Sequence, residues 1–419
     1  MNEIWRMLRY NRNFIAMLGT VGATILADIL VLGGLLTDVY ERSGSALQTV
    51  FVSVAMMITG VIISPFSGVW ADRVPRKLML AGANWGRAVI ILGAYFLIQT
   101  GRFEIWHAYV VSVCLMAGSA LRTPARMSLM PQIIQTEQLV LANSIVKVVY
   151  LALAALGYWL AGTLIMTHGL GLIASIAIVG YFIGGLSVLF MQVAPPEKKE
   201  SEQVQVSVWQ SAADGFQHLR QHRIARPLTI MEALESVPQG IWTQGMLLVF
   251  VERALNGNSA DWGMMTGLFQ IAFLIGTLIA IAVNRWINQY AGQVIIADTL
   301  ATAIIGIPFV LSPNPEWATL FYFLLAMPQS LRDSAQDSLL QATVDNAILG
   351  RIYAFRGMAA QFTGLGATVL FAWLAAFIEI RILFGVAAGL FVLVAIYAYT
   401  NSALRTSRIE VESVEPQIA

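Results

Sequence analysis

Asp28, Glu232 and Glu235 are acids set among apolar residues, and Lys147 and Arg356 are bases placed in the same way. A charge in apolar surroundings needs a partner or a water-filled cavity, so each of these residues calls for a reason beyond packing. A carboxylate there can do two kinds of chemistry. It can take a proton from one side of a barrier and release it to the other, or it can hold a cationic ligand. Glu232 and Glu235 are three residues apart and share a helical face, with Pro238 following where a missing N–H kinks a helix. Asp28 and Glu235 are the first candidates for proton carriage, and Glu232, nearer the end of its run, reads as a rim carboxylate. Pairing with a purely structural partner is the alternative for each. Lys147 and Arg356, 209 positions apart, could neutralise acids across an interface or stretch towards the nearer end of their runs. Arg87 has the same two readings. Asp298, a few residues into its run, reads as an interfacial acid or one at a helix N-terminus.

The elements that must position these groups follow from composition. Of 419 residues, 58% are hydrophobic and 12% charged, and the mean hydropathy is +0.70. A soluble domain carries roughly 25% charged residues. The chain is therefore read as a membrane protein. A bilayer core about 30 Å thick takes about 20 residues at 1.5 Å each, and only a helix of that length satisfies its own backbone in lipid. Runs of this kind fall at 14–40, 46–71, 78–100, 105–122, 139–166, 169–193, 227–251, 262–283, 293–312, 316–337, 350–378 and 380–403. The spacing predicts an all-α membrane protein of twelve helices. The run at 316–337 is the least regular, because "SLRDSAQD" makes its second half polar. Asp28 falls roughly 22 Å into the first span, beyond the reach of either interface. The first run has spanning length and lacks a following small-residue cleavage pattern, so it reads as a span and not as a secretory signal.

Basic residues orient the spans, since segments kept in the cytoplasm retain Lys and Arg. Arg6, Arg9, Arg12, Arg73, Arg76, Lys77, Arg122, Arg126, Lys198, Lys199, Arg220, Arg223, Arg226, Arg285, Arg351, Arg405 and Arg408 share one side, against Arg42, Arg102, Arg253 and Arg381. Both termini are expected to be cytoplasmic. Three units follow: a six-helix bundle over 1–193, a cytoplasmic linker over 194–225, and a second six-helix bundle with a short tail over 226–419. Within the linker, Val206, Trp209, Ala212, Ala213, Phe216 and Leu219 recur at helical spacing, as in a helix lying on the cytoplasmic face or packed there away from lipid. The bundles repeat one another. Arg9, Arg12, Glu41 and Arg42 return 211 positions later as Arg220, Arg223, Glu252 and Arg253, and "LRTPARMSL" at 121–129 returns 210 later as "LRDSAQDSL". Duplicated six-span units place a substrate site between the halves.

One charge cluster carries a family resemblance. "GVWADRVPRK" at 68–77, between the second and third spans, resembles the loop signature of the major facilitator superfamily, with Gly68, Asp72, Arg73, Arg76 and Lys77 in the signature positions. The resemblance implies two bundles related by a pseudo-twofold along the membrane normal, and it gives the cluster the role of a latch between the halves. Topological anchoring of its basic residues is the simpler alternative. The matching stretch "AIAVNRWINQ" at 280–289 keeps Arg285 but has Ala280 and Asn284 for the Gly and Asp. "TPARMSLMPQIIQTEQLVLANS", "VWQSAADGFQHLRQHRIARPL" and "GRIYAFRG" are similar to segments of the twelve-helix exporter branch that includes macrolide-efflux-like and enterobactin-exporter-like proteins. The antiporter motif of the fifth span survives only as "GYWLAG" at 157–162, and Cys114 falls where the fourth-span motif has its Arg.

That resemblance implies a secondary transporter that exports a lipophilic or amphipathic small molecule, drug-like, macrolide-like or siderophore-like, in exchange for protons. Proton-coupled nutrient uptake and facilitated movement of lipid-like molecules stay open beside it. The expected substrate cavity gathers Asp28, Lys147, Tyr150, Gln239, Trp242, Gln270, Arg356 and Gln361. No cofactor is expected beyond the proton gradient, and a functional monomer in a bacterial cytoplasmic membrane is implied. Catalysis is not expected. A formal charge of +1 argues against a nucleic-acid partner, and a single cysteine forms no intrachain disulfide. His107, His168, His218 and His222 lack the spacing of a metal site, and no G-x-x-x-x-G-K-[ST] loop occurs.

Overall fold

A computed structural model of the protein describes residue 9 and residues 11–73, 75–135, 138–192 and 216–409. Among the described residues there is no strand. The first half contains α1 (Arg12–Ser43), α2 (Ala46–Arg73), α3 (Arg76–Gln99), α4 (Ile105–Ile133) and α5 (Leu139–Leu189). The second contains α6 (Ala225–Gln239), α7 (Gln244–Ala254), α8 (Ser259–Ala282), α9 (Asn284–Gln289), α10 (Ala291–Val310), α11 (Pro315–Thr343), α12 (Asn346–Leu374), α13 (Ile380–Thr400) and α14 (Ser402–Arg405).

Nine helices among the described residues are long and apolar enough to cross a bilayer. Twelve crossings follow from three local departures. The helix α5 holds the fifth and sixth spans, turning at Gly169, whose φ of 71° lies in the left-handed region that a residue without Cβ enters at no steric cost. The seventh span is divided into α6 and α7, because Pro238 removes a backbone donor and the helix stops one residue later. The tenth span, α11, carries too many polar residues to register as apolar, yet it runs unbroken from Pro315 to Thr343. Its start is fixed by Asn314, whose side chain accepts from the backbone N–H of Trp317, ahead of a proline at the first helical position.

The fourth span corrects the expected boundary. It was expected to close at 122, but α4 continues to Ile133, so Arg122 and Arg126 lie inside a helix and not in a topological loop. Most of the expected linker helix lies outside the described residues. From Phe216 a short helical stretch is present, with Phe216 tilted against Phe355 at 5.2 Å.

In the first half α5 packs on α1 and α3, and α4 on α2 and α3. In the second, α11 packs on α8 and α10, α10 on α13, and α6 on α12 and α13. The halves meet where α5 lies on α8, α2 on α12 and α7, and α1 on α7. Tight contacts between them gather at the end bearing Gly44 and Arg253. The Arg253 guanidinium donates to Tyr40 Oη at 3.0 Å, the Gly44 carbonyl at 2.5 Å and the Ala375 carbonyl at 3.2 Å. Below it, "GYWLAG" and α8 touch backbone to backbone: a Cβ on Gly267 would stand 2.7 Å from the Ala155 carbonyl, and one on Gly162 or Gly263 would collide outright. Such close approach is how helices associate without a hydrophobic drive. Trp262 is fully buried there, edge-on to Tyr158. At the opposite, basic end, Lys77 Nζ donates to the carbonyls of Leu189 and Met191 at 2.8 and 2.7 Å, capping the end of α5.

Candidate functional site

Each half encloses a charge triad drawn from its first, third and fourth spans. In the first half Asp28 on α1 pairs with Arg87 on α3 and, at 3.3 Å, with Arg122 on α4. Tyr181 donates its hydroxyl to Asp28 Oδ1 at 2.7 Å, and the Arg87 guanidinium lies over the Tyr181 ring at 4.3 Å. Arg122 also donates to Thr24 Oγ1 at 2.8 Å. Two guanidinium groups thus flank one carboxylate.

In the second half the signs are reversed. Nη1 of Arg332 on α11 lies 3.5 Å from Glu235 on α6 and 3.2 Å from Asp298 on α10, and its Nη2 is 3.2 Å from Asp333. Thr299 donates to Glu235 at 3.4 Å. The side chains of Glu235, Asp298 and Arg332 are at most 5% exposed, and neither oxygen of Asp298 accepts a hydrogen bond. Beside this triad Arg356 pairs with Glu232 and donates to Gln336 at 2.6 Å. Buried ion pairs of this kind cost desolvation that their attraction repays only in good geometry, so they are weak devices for stability alone.

Both triads back onto a cavity. The first, about 360 Å³, is lined by Arg122, Arg126, Lys147, Tyr150 and Asn143 with a few apolar residues. The second, about 320 Å³, is lined by Glu232, Glu235, Asp333, Asp337, Arg332 and Arg356 among others. Lys147 of the first lining and Asp337 of the second belong to different halves and are electrostatic neighbours. The arrangement is a polar cleft between two helical bundles that are joined tightly at the other end.

The chain matches the model of the Major Facilitator Superfamily over residues 13–288. It belongs to that family. This facilitator is 27% identical over 375 residues to the MFS-type transporter YjbB of Bacillus subtilis (strain 168), covering 85% of this chain and 90% of YjbB. It is 21% identical over 338 residues to macrolide efflux protein A of Streptococcus pyogenes, covering 76% and 78%. The crystal structure of the nucleoside transporter NupG shares its fold with a TM-score of 0.72 at 13% identity, over 93% of this chain and 99% of that one. The facilitator is a membrane transporter and not an enzyme.

The structure brings together many of the residues expected to form its site. Asp28, Glu232, Glu235 and Arg356 lie in the charge networks, Lys147 and Tyr150 line the first cavity, and Gln239 lines the second. Trp242 is placed elsewhere, in an aromatic cluster, parallel to Tyr322 at 5.9 Å and packed on Phe309 and Phe384. Gln270 and Gln361 line neither cavity. Of the latch residues, Arg76 opens α3 and Lys77 caps α5, while the side chains of Gly68, Asp72 and Arg73 lie outside the described residues.

Two expectations are corrected. Asp298 is not an interfacial acid but a triad member, 3% exposed, because Arg332 reaches it from the neighbouring helix. Arg122 and Arg126 do not simply anchor a loop, since both line the first cavity. Arg332, Asp333, Gln336 and Asp337 were not singled out from the sequence as site residues. The signal that could have found them was the repeated block, because "LRTPARMSL" and "LRDSAQDSL" carry Arg122 and Arg332 at the same position.

Proposed function

We propose that this facilitator exports a lipophilic or amphipathic small molecule in exchange for protons, its halves rocking about the cleft between the triads. With the basic end in the cytoplasm, the form described here is closed to the outside and its cleft faces inward. The observation that carries the proton coupling is the second triad. Glu235 and Asp298 share one guanidinium in a buried site, which leaves an uncompensated negative charge that a single proton neutralises. Asp28, flanked by two arginines, lacks that excess, so the charge count favours Glu235 with Asp298 over Asp28 as the proton site. Glu232 lines the same cavity and serves as its entry carboxylate. The likeness to macrolide efflux protein A supports export. Everted vesicles test the reading. Adding a transported dye should collapse a preset pH gradient, and Glu235→Gln should abolish the collapse while the protein still inserts. Dye movement independent of pH, unchanged in Glu235→Gln, would overturn proton coupling.

A further inference from the structure

We infer that the transported molecule is a zwitterion bound across the cleft, its anionic group on the first half and its cationic group on the second. The inference rests on the transporter reading above and adds the substrate's charge pattern. The lining of the first cavity holds three bases, Arg122, Arg126 and Lys147, and no acid among the described residues. The lining of the second holds four acids against two bases.

Internal pairing does not cancel this contrast. Of the bases on the first wall, Arg122 is engaged with Asp28, whereas neither Arg126 nor Lys147 has a carboxylate within 4 Å among the described residues. Arg126 stands four residues along α4 from Arg122, on the same helical face and close enough for the two like charges to act on one another. An anion lodged between Arg126 and Lys147 would relieve that repulsion, with Asn143 and Tyr150 as neutral donors beside it.

On the second wall both guanidinium groups are committed, Arg332 to Glu235, Asp298 and Asp333, and Arg356 to Glu232 and Gln336. The exposed carboxylate of Asp337 accepts from Tyr353 at 3.3 Å and has Lys147 of the first half as an electrostatic neighbour. A wholly cationic molecule would meet repulsion on the first wall, and a wholly anionic one on the second. A molecule carrying both charges satisfies both walls at once.

Rhodamine B, a xanthene cation with a free carboxylate, and its ethyl ester, which keeps the cation and loses the anion, form a matched pair of probes. Fluorescence anisotropy with the purified full chain in detergent would measure both affinities. Rhodamine B should bind about tenfold tighter than the ester, the size of one charge-assisted contact. Lys147→Gln should bring that ratio towards one, and Asp337→Asn should weaken both dyes. Equal binding of the two dyes, or saturable binding of neither, would overturn the zwitterion assignment. Transport is scored separately in vesicles: a pH gradient collapsed equally by both dyes keeps the exporter and rejects the zwitterion, whereas preferential binding of rhodamine B with no gradient response keeps the zwitterion and rejects proton coupling.

Discussion

The two halves of this facilitator share a plan and differ in sign. Each draws one charged residue from its first, third and fourth spans into a triad, but the first half sets two bases around one acid and the second two acids around one base. One arginine is common to both. Arg122 and Arg332 occupy equivalent positions of the repeated block on α4 and α11. That constant arginine is a flank in the first half, where Asp28 stands between it and Arg87, and the centre in the second, where Glu235 and Asp298 surround it. Carboxylates can shed their charge by taking a proton within the physiological range, whereas guanidinium groups cannot lose theirs. The change of sign therefore gives the second triad one more acid than base and the first one more base than acid.

The largest expected effect comes from removing the pivot of the second half. Arg332→Gln leaves two buried carboxylates without their counter-charge and should lower stability by about 3–5 kcal/mol near neutral pH. Because both acids can be neutralised, acidification should restore much of the loss. Thermal unfolding in detergent at a series of pH values reads this directly, and a loss that does not shrink towards low pH would break the comparison. Asp28→Asn, in the first half, leaves Arg87 and Arg122 facing one another and should cost about 3 kcal/mol, the lower end of the same range, since Asp28 is 25% exposed. Here acidification should not help, because no group in that triad gains from a proton. The smallest effects concern the neutral hydroxyls. Tyr181→Phe removes a 2.7 Å hydrogen bond to Asp28 and should cost about 1.5 kcal/mol, whereas Thr299→Val removes one of 3.4 Å to Glu235 and should cost about 0.5 kcal/mol. Equal losses in the two variants would mean that the two triads are held equally tightly.

Most of the fold was legible, because lipid forces each crossing to be a long apolar helix and the runs of Ile, Leu, Val and Ala announce it. The departures have one physical origin. A helix that lines a polar cleft need not be apolar, so hydropathy closes the fourth span at Arg122 although α4 continues for eleven residues, and it makes α11 the least regular run although it is one continuous helix. Half of the candidate site was hidden for the same reason. Asp28 and Glu235 stand out as charges well inside greasy runs, whereas Arg122 and Arg332 sit where the apolar pattern fades and resemble ordinary loop or helix-end charges. Asp298 was misleading from the other direction, since its place near the start of a run says nothing about the Arg332 side chain that draws it inwards. Trp242 shows the limit of reasoning by residue type, because an aromatic beside a helix break can face a neighbouring helix as readily as a cavity.

The closed end is built differently from the cleft. Arg253 and Arg381 bind main-chain carbonyls there, Arg253 those of Gly44 and Ala375, Arg381 those of Val310, Ser312 and Ala254. A main-chain acceptor is carried by every amino acid, so no replacement at Ala375 or Ser312 deletes the oxygen itself. Genetic variation can thus drift widely at these acceptor positions, and a screen for seal-breaking alleles should return Arg253 and the close-packed Gly162 and Gly263 far more often than Ala375, whose main chain Arg253 holds.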